Sequence, residues 1–229
     1  MNPFNRLVAF LGFALVTAHA QAVDFSFTPA PGTLTQGNGN AYTYTDAVSG
    51  LTLTATAWSN ANQAEKFQAA TLTMANDGMG VCAGLNCATD TLDNASGGSN
   101  MILFSFSSTV NLSSLSLQQF GSDSDLSVWA GTGNTFSPAN KKPTKLGTAT
   151  LIENTDSVAG LRSINLAAFA GSYDWIAVAA RIGQTDDFAK LKSLTVSPVA
   201  QPVPDPATWM TMLAGLGLVG FAVNRRTKP

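Results

Sequence analysis

The stretch LTLTATAW, residues 51–58, alternates apolar and polar side chains without a break. Successive side chains of a β-strand point to opposite faces of its sheet, so this pattern predicts a strand with one buried face. The same alternation occurs at residues 25–27, 41–45 and 112–117. An amphipathic helix would instead repeat its apolar residues every three or four positions. Residues 51–58 therefore indicate a β-rich chain.

Three further segments are almost continuously apolar and predict strands buried on both faces: residues 101–106, 174–182 and 191–196. Turn signals such as Pro31-Gly32 and Asn76-Asp77-Gly78 separate the segments. Roughly ten short strands predict an all-β fold, an antiparallel β-sandwich of jelly-roll-like type. The weak helix candidate is residues 60–70, and residues 76–100 read as one long loop.

The composition narrows the class of protein. The 229 residues are 45% hydrophobic and only 11% charged, and the one histidine is His19. Charged residues make up about 25% of typical soluble domains, and the shortfall here is filled by small polar residues. Lys and Arg, 12 in all, do not outnumber the 14 Asp and Glu. This balance excludes a basic nucleic-acid-binding protein.

The N-terminal residues have the order of features found in a secretory signal peptide. Arg6 precedes an apolar run at residues 7–16, and two small-residue cleavage sites follow, Ala18-His19-Ala20 and Ala20-Gln21-Ala22. We expect residues 1–22 to be removed by signal peptidase, which also removes the histidine. From residue 23 to residue 206 the chain then carries eight basic and fourteen acidic residues, a net charge of −6.

The C-terminal residues contain a second apolar segment. Residues 207–223 are uncharged, and as a helix they would span about 26 Å, a minimal match to a bilayer core of about 30 Å. Trp209 lies near one end, and Arg225, Arg226 and Lys228 follow the other. The positive-inside rule places this tail in the cytoplasm and the preceding domain outside, in agreement with the signal peptide.

The order Val-Pro-acid-Pro, short apolar helix, basic tail resembles the PEP-CTERM sorting signal of proteins that Gram-negative bacteria export and deliver to exosortase. The resemblance covers roughly the last 26 residues. It implies that Pro204, Asp205 and Pro206 form the recognition tripeptide and that Arg225 and Arg226 form the basic stop. Asp205 departs from the common Glu, which suggests a Pro-Asp-Pro variant. An uncleaved C-terminal anchor is the alternative interpretation.

Cys82 and Cys87, the two cysteines, lie in the sequence CAGLNC. Export to an oxidising compartment favours a disulfide between them. Closing so small a ring stabilises by about 2 kcal/mol at most, so the disulfide would pin a loop rather than hold the fold. A zinc site would need further Cys or His ligands, which the exported chain lacks.

Acidic side chains in the predicted loops suggest a structural calcium ion. Asp77, Asp90 and Asp93 share the long loop and offer the hard oxygen ligands that calcium prefers, although no spacing matches an EF-hand. Loop aspartates also serve turns and solubility. Asp123 with Asp125, and Asp186 with Asp187, are interpreted as solvated turns. No other cofactor is indicated.

Enzymatic activity is not expected. Serine and cysteine triads need a base that the histidine-free chain does not supply. A secreted hydrolase with paired carboxylates remains an alternative, with Glu65 and Glu153 as the two glutamates of the exported chain.

Binding roles are also open. Trp58 and Trp129 stand near predicted strand ends and are candidates for stacking on sugar rings, whereas Trp175 is expected to be buried. Thr52, Thr54 and Thr56 share one strand face, and Thr43 and Thr45 share another. Such threonine ladders could order water, which leaves ice binding as a further alternative, although Thr is also a common strand residue.

Taken together, these features predict three segments: a signal peptide at 1–22, a β-sandwich at 23–200, and a sorting signal at 201–229. The resemblance implies an exported protein that passes through the inner membrane and reaches the cell surface or extracellular matrix of a Gram-negative bacterium. Its expected partners are signal peptidase, exosortase and the membrane, with exopolysaccharide as a candidate ligand of the body.

Overall fold

A computed structural model describes residues 21–28, 40–62, 64–83, 90–94, 98–120, 123–133, 136–154 and 159–199, together with residues 213, 215 and 216. The chain divides into two compact units, Met1–Val199 and Ala200–Pro229. The expected signal peptide lies outside the described residues except for its last two.

The first unit is built from thirteen strands within the described residues. They are β1 (Val23–Ser26), β2 (Ala41–Thr45), β3 (Thr52–Asn60), β4 (Gln68–Ala69), β5 (Thr71–Ala75), β6 (Gly78–Cys82), β7 (Leu92–Asp93), β8 (Ser99–Gln119), β9 (Leu126–Gly131), β10 (Thr150–Ile152), β11 (Gly160–Asn165), β12 (Ser172–Ala180) and β13 (Phe188–Pro198). A short 3-10 helix covers Pro143–Lys145. The β-rich prediction is confirmed.

Strand β8 organises the sheet because its 21 residues pair with four other strands. Its first part lies between β3, with Leu53 opposite Phe106, and β12, with Ile176 opposite Phe104. Its second part pairs with β11 and β13. The strands predicted at 101–106 and 112–117 are therefore one continuous strand.

The strand pairs are antiparallel, and the main path through the sheet runs β10-β9-β12-β8-β13-β6-β5. Strand β3 joins the first part of β8 and carries β2 and β4, while β1, β7 and β11 pair with β13 or β8. These hydrogen bonds connect all thirteen strands into one open sheet. The predicted jelly-roll-like sandwich is not confirmed.

Alternation along β3 places its apolar residues in the main core. Leu53, Ala55 and Ala57 are fully buried there, together with side chains from both parts of β8. Phe104 of β8 stacks on Phe27 with ring centroids 5.1 Å apart. Burial of such side chains is the main favourable term in folding.

A second buried cluster covers the opposite side of the same strands. Met101 and Leu103 of β8 pack there against Ala177 and Ala179 of β12, with Trp129 of β9 beside them. Phe67 and Leu146 close the cluster. The prediction that residues 101–106 are buried on both faces is correct for most of these positions, since only Ser105 among them is exposed.

Two local predictions need correction. Residues 60–70 form no helix where they are described, because Gln68 and Ala69 pair with β3 instead. Residues 76–100 are not one long loop, because they contain β6, β7 and the start of β8. Gly78, with a φ of 128°, closes the β5–β6 hairpin in a conformation that favours glycine.

In the second unit the structure describes three residues, Leu213, Gly215 and Leu216, which are helical. Both leucines are exposed. No helix within the described part of the chain is long and apolar enough to cross a membrane. The predicted span at 207–223 lies mostly outside that part and stays a prediction.

Candidate functional site

Three aspartates meet where β9 begins and where β13 is about to begin. Carboxylate oxygens of Asp123, Asp125 and Asp187 all lie within 4.8 Å of one another. A parallel bridge between Asp123 and Asp187 brings the two segments together, and the Phe188 amide donates to the Asp123 carbonyl at 3.1 Å. We call these three residues the aspartate cluster.

The aspartate cluster is held by hydrogen bonds from residues distant in sequence. Asp187 accepts from the backbone amide of Asp125 at 2.7 Å and from the Asn94 side chain. Asp125 accepts from the backbone amide of Asn154 and forms an ion pair with Arg181 at 2.8 Å. Asp125 and Asp187 are 4% and 1% exposed, so the interpretation of these residues as solvated turns is wrong.

Burial sets the electrostatics of the aspartate cluster. It raises the pKa of Asp187 from 3.8 to about 7, and the charges of Asp123 and Asp125 add to the rise. Hydrogen bonds from Asp125 and Asn94 act in the opposite direction. The pKa of Asp123 is also raised, mainly by burial. Desolvation disfavours the charged form of a carboxyl group, and three neighbouring carboxylates repel one another.

Chemically, the three carboxylates offer oxygen ligands of the type that calcium binds. Arg181 already supplies one positive charge, and it also contacts Glu153 at 3.1 Å. Arg162 extends the same polar network by donating to the Ser124 carbonyl at 2.8 Å. Among the described residues the aspartate cluster is the group whose carboxylate oxygens lie close enough together to hold a metal ion.

The aspartates first considered for calcium take other partners. Asp77 and Asp90 contact the Lys190 ammonium at 3.0 and 2.8 Å, and Lys190 is 5% exposed. Asp93 instead accepts from Thr91 at 2.9 Å and from Asn100 at 3.1 Å. The ammonium group therefore already compensates two of the three carboxylates.

Of the three described tryptophans, Trp129 belongs to the second buried cluster, and Trp58 and Trp175 pack against it. Trp129 is 5% exposed and donates to the Gly147 carbonyl at 3.2 Å, contrary to the expectation that it could be exposed. Trp58 is half-buried and donates to Thr56 at 2.9 Å. Trp175, expected to be buried, is also half-buried, and it stacks on Phe136 with centroids 3.7 Å apart.

Other predicted residues are only partly described. Cys82 is buried at the end of β6, and the described residues contain no free cysteine. Cys87 lies outside them, so the pairing of Cys82 with Cys87 stays a prediction. Of the two glutamates, Glu153 contacts Arg181, whereas Glu65 accepts from Asn62 at 3.0 Å. These glutamates have different partners.

Sequence reasoning missed the residues that surround the aspartate cluster. Asn94, Asn154 and Arg181 come from three separate segments, and nothing local in the sequence indicates that they meet. The one available signal was the pair of acidic runs, Asp123-Ser124-Asp125 and Asp186-Asp187, in a chain with few charges.

The fold and the cluster define an antiparallel β protein with a buried acidic network. A match to a known sequence family lies instead in the C-terminal residues. A family model described as the PEP-CTERM protein-sorting motif matches residues 202–226. Pro204, Asp205, Pro206, Arg225 and Arg226 lie within the match but outside the described residues. The resemblance is therefore confirmed: the chain ends in a PEP-CTERM sorting motif, which indicates export and exosortase-dependent sorting.

No curated protein gives a significant match to the chain.

Proposed function

We propose that this protein is exported, held in the inner membrane by its C-terminal segment, and then released to the cell surface or extracellular matrix by exosortase. The PEP-CTERM match at residues 202–226 carries the proposal. In it, Pro204-Asp205-Pro206 is the recognition tripeptide, residues 207–223 span the membrane, and Arg225 and Arg226 stop transfer.

The physical properties of this segment support these roles. The two prolines restrict φ and deny backbone donors, which disfavours a regular helix or sheet at the tripeptide. We therefore expect exosortase to meet the tripeptide in extended form beside the membrane. The uncharged segment 207–223 comes next, and basic residues come after it. This order is expected for a membrane-spanning segment whose C-terminal end lies in the cytoplasm.

The test replaces Pro204, Asp205 and Pro206 together by alanine. We expect the variant to accumulate in the inner membrane fraction, while the wild-type chain reaches the surface. The matched control is Asp205→Glu, which restores the common form of the tripeptide and should be delivered normally. Unchanged surface delivery of the triple-alanine variant would refute the sorting role of these residues.

We propose that the body serves a structural or binding task rather than a catalytic one. In support, Asp125 and Asp187 are almost fully buried and are hydrogen-bonded within the body, which limits the access of a substrate to their carboxyl groups. Trp129 does not support a carbohydrate site, because its ring is buried. A binding role therefore needs another surface.

A further inference from the structure

Strands β2, β3 and β8 present an uncharged hydroxyl surface on one side of the sheet. None of the three strands contains Asp, Glu, Lys, Arg or His. We call six of the hydroxyl side chains on this side the hydroxyl face: Thr43, Thr45, Thr52, Thr54, Ser105 and Ser107. Four of them are exposed, and Thr52 and Thr54 are half-buried.

The strand register aligns these hydroxyls in two rows. In one row Thr43 is opposite Thr54, Thr54 is opposite Ser105, and Ser105 is opposite Trp175 on β12. Directly opposed residues of an antiparallel pair share a face, so their hydroxyls lie side by side. The row ends at Trp175, whose ring is stacked against Phe136.

The second row runs from Thr45 to Thr52, which are also opposed, and then to Ser107. The backbone amide of Thr52 donates to the Ser107 hydroxyl at 2.9 Å. Neighbouring strands lie about 4.8 Å apart, and alternate residues along one strand about 6.8 Å apart. The six hydroxyls therefore form a two-row grid.

The hydroxyl face keeps unused hydrogen-bonding capacity. The contacts between its hydroxyl groups are long, 3.3 Å between those of Thr43 and Thr54 and 3.4 Å between those of Thr45 and Thr52. A hydroxyl can donate one hydrogen bond and accept two. Thr56, the next threonine of β3, differs because its hydroxyl already accepts from Trp58 and donates to the Leu103 carbonyl.

This chemistry restricts the partner. An apolar protein surface would bury the six hydroxyls with part of their hydrogen-bonding capacity unmet, which costs free energy. An ionic ligand would find no countercharge on the three strands. A neutral polymer rich in hydroxyl groups can both donate to and accept from every position of the grid.

We propose that the hydroxyl face binds a neutral, hydroxyl-rich polysaccharide. Binding uses Thr43, Thr54 and Ser105 as the central row and Thr45, Thr52 and Ser107 as the flanking row. The proposal does not rest on the sorting function, because the purified chain should bind whether or not exosortase acts on it.

The experiment is affinity electrophoresis of the full-length chain, solubilised in a polyoxyethylene detergent, through gels containing hydroxyethyl cellulose, dextran or alginate. We expect at least one of the two neutral polymers, and not the anionic alginate, to retard the wild-type protein. Retardation by neither neutral polymer would overturn the proposal, as would retardation by alginate alone.

The variant Thr43→Val/Thr54→Val removes two hydroxyls of the central row and keeps β-branched side chains suited to strands. We expect its dissociation constant for the bound polymer to rise about tenfold or more. Thr43→Ser/Thr54→Ser keeps both hydroxyls and should bind like wild type. The matched control is Thr150→Val/Ser163→Ala, which removes two exposed hydroxyls on β10 and β11 and should leave binding unchanged.

Circular dichroism of each variant checks that the sheet is retained. Equal binding by the valine variant and the wild type would contradict the proposal. A wild-type dimer in light scattering that the valine variant dissociates, without any polymer binding, would assign the face to a second copy of the chain and would equally overturn it.

Discussion

At the scale of single residues, the most perturbed position is Asp187. Its carboxyl group is buried beside two other carboxyl groups, and its pKa is raised to about 7. In the unfolded chain the same group titrates near 3.9. Between these values the folded state keeps a proton that the unfolded state has lost, so the free energy of unfolding falls as the pH rises and levels off above pH 7.

We therefore predict that the protein is less stable at pH 8 than at pH 5 by roughly 2–4 kcal/mol from this group. Asp187→Asn should remove most of this dependence, whereas Asp186→Asn at the exposed neighbouring position should retain it. Urea unfolding at the two pH values, with a chelator present, measures both variants. The same pH dependence in Asp187→Asn as in the wild type would contradict the role assigned to Asp187.

The ion pairs of Lys190 are expected to contribute to the stability of the folded chain. Its buried ammonium contacts Asp77 and Asp90, whose side chains are 40% and 33% exposed. Lys190→Met should lower the free energy of unfolding by about 1–3 kcal/mol, less than for a fully buried pair, because water reaches both carboxylates. The control is Lys192→Met, which loses one hydrogen bond to the Asn76 carbonyl and should cost under about 1 kcal/mol. Equal losses would argue against the ion pairs.

At the scale of elements, β6 packs closely against the segment that precedes β7. A Cβ atom on Gly80 would lie 1.7 Å from the backbone oxygen of Asp90. Gly80→Ala should therefore displace backbone and destabilise by about 2 kcal/mol or more. Gly160→Ala on β11 has open space around the new methyl group and should be nearly neutral. Thermal unfolding measures the stability of the two variants. A Gly80→Ala protein as stable as the wild type would show that the two segments are not in contact.

A strand can be predicted from the sequence when the pattern that specifies it lies within the strand itself. The alternation of residues 51–58 predicts β3 because burial of one face imposes the period directly. The two predicted strands at 101–106 and 112–117 are one strand, β8, because Ser107, Ser108 and Thr109 between them resemble a turn in sequence but lie within the strand, at a shift in its register with β12. Polar residues alone do not distinguish a turn from an exposed stretch of strand.

The aspartate cluster was less predictable than the strands. Asp125 and Asp187 are stabilised by Asn94, Asn154 and Arg181, which the register of distant strands brings into place. Their burial depends on pairings that a single sequence does not reveal. The sorting motif is different, because its chemistry is contained in one short continuous segment.

At the scale of the whole molecule, a β body and a sorting segment are joined in one chain. The body has an uncharged hydroxyl face, and the sorting segment carries the PEP-CTERM motif at residues 202–226. The two proposals are consistent with each other, because a protein delivered to the cell surface or extracellular matrix would meet polysaccharides there. The two proposals nevertheless fail separately, because one concerns where the chain goes and the other what the body binds.

We expect exosortase to process this chain at its C-terminal motif. The most direct measurement is the mass of the C-terminal peptide of the protein recovered from the cell surface, in strains with and without exosortase. We predict that the surface form lacks the apolar segment 207–223, and that without exosortase the chain stays in the membrane with Arg225 and Arg226 attached. Surface protein that retains the complete tail, in the same amount in both strains, would contradict the account.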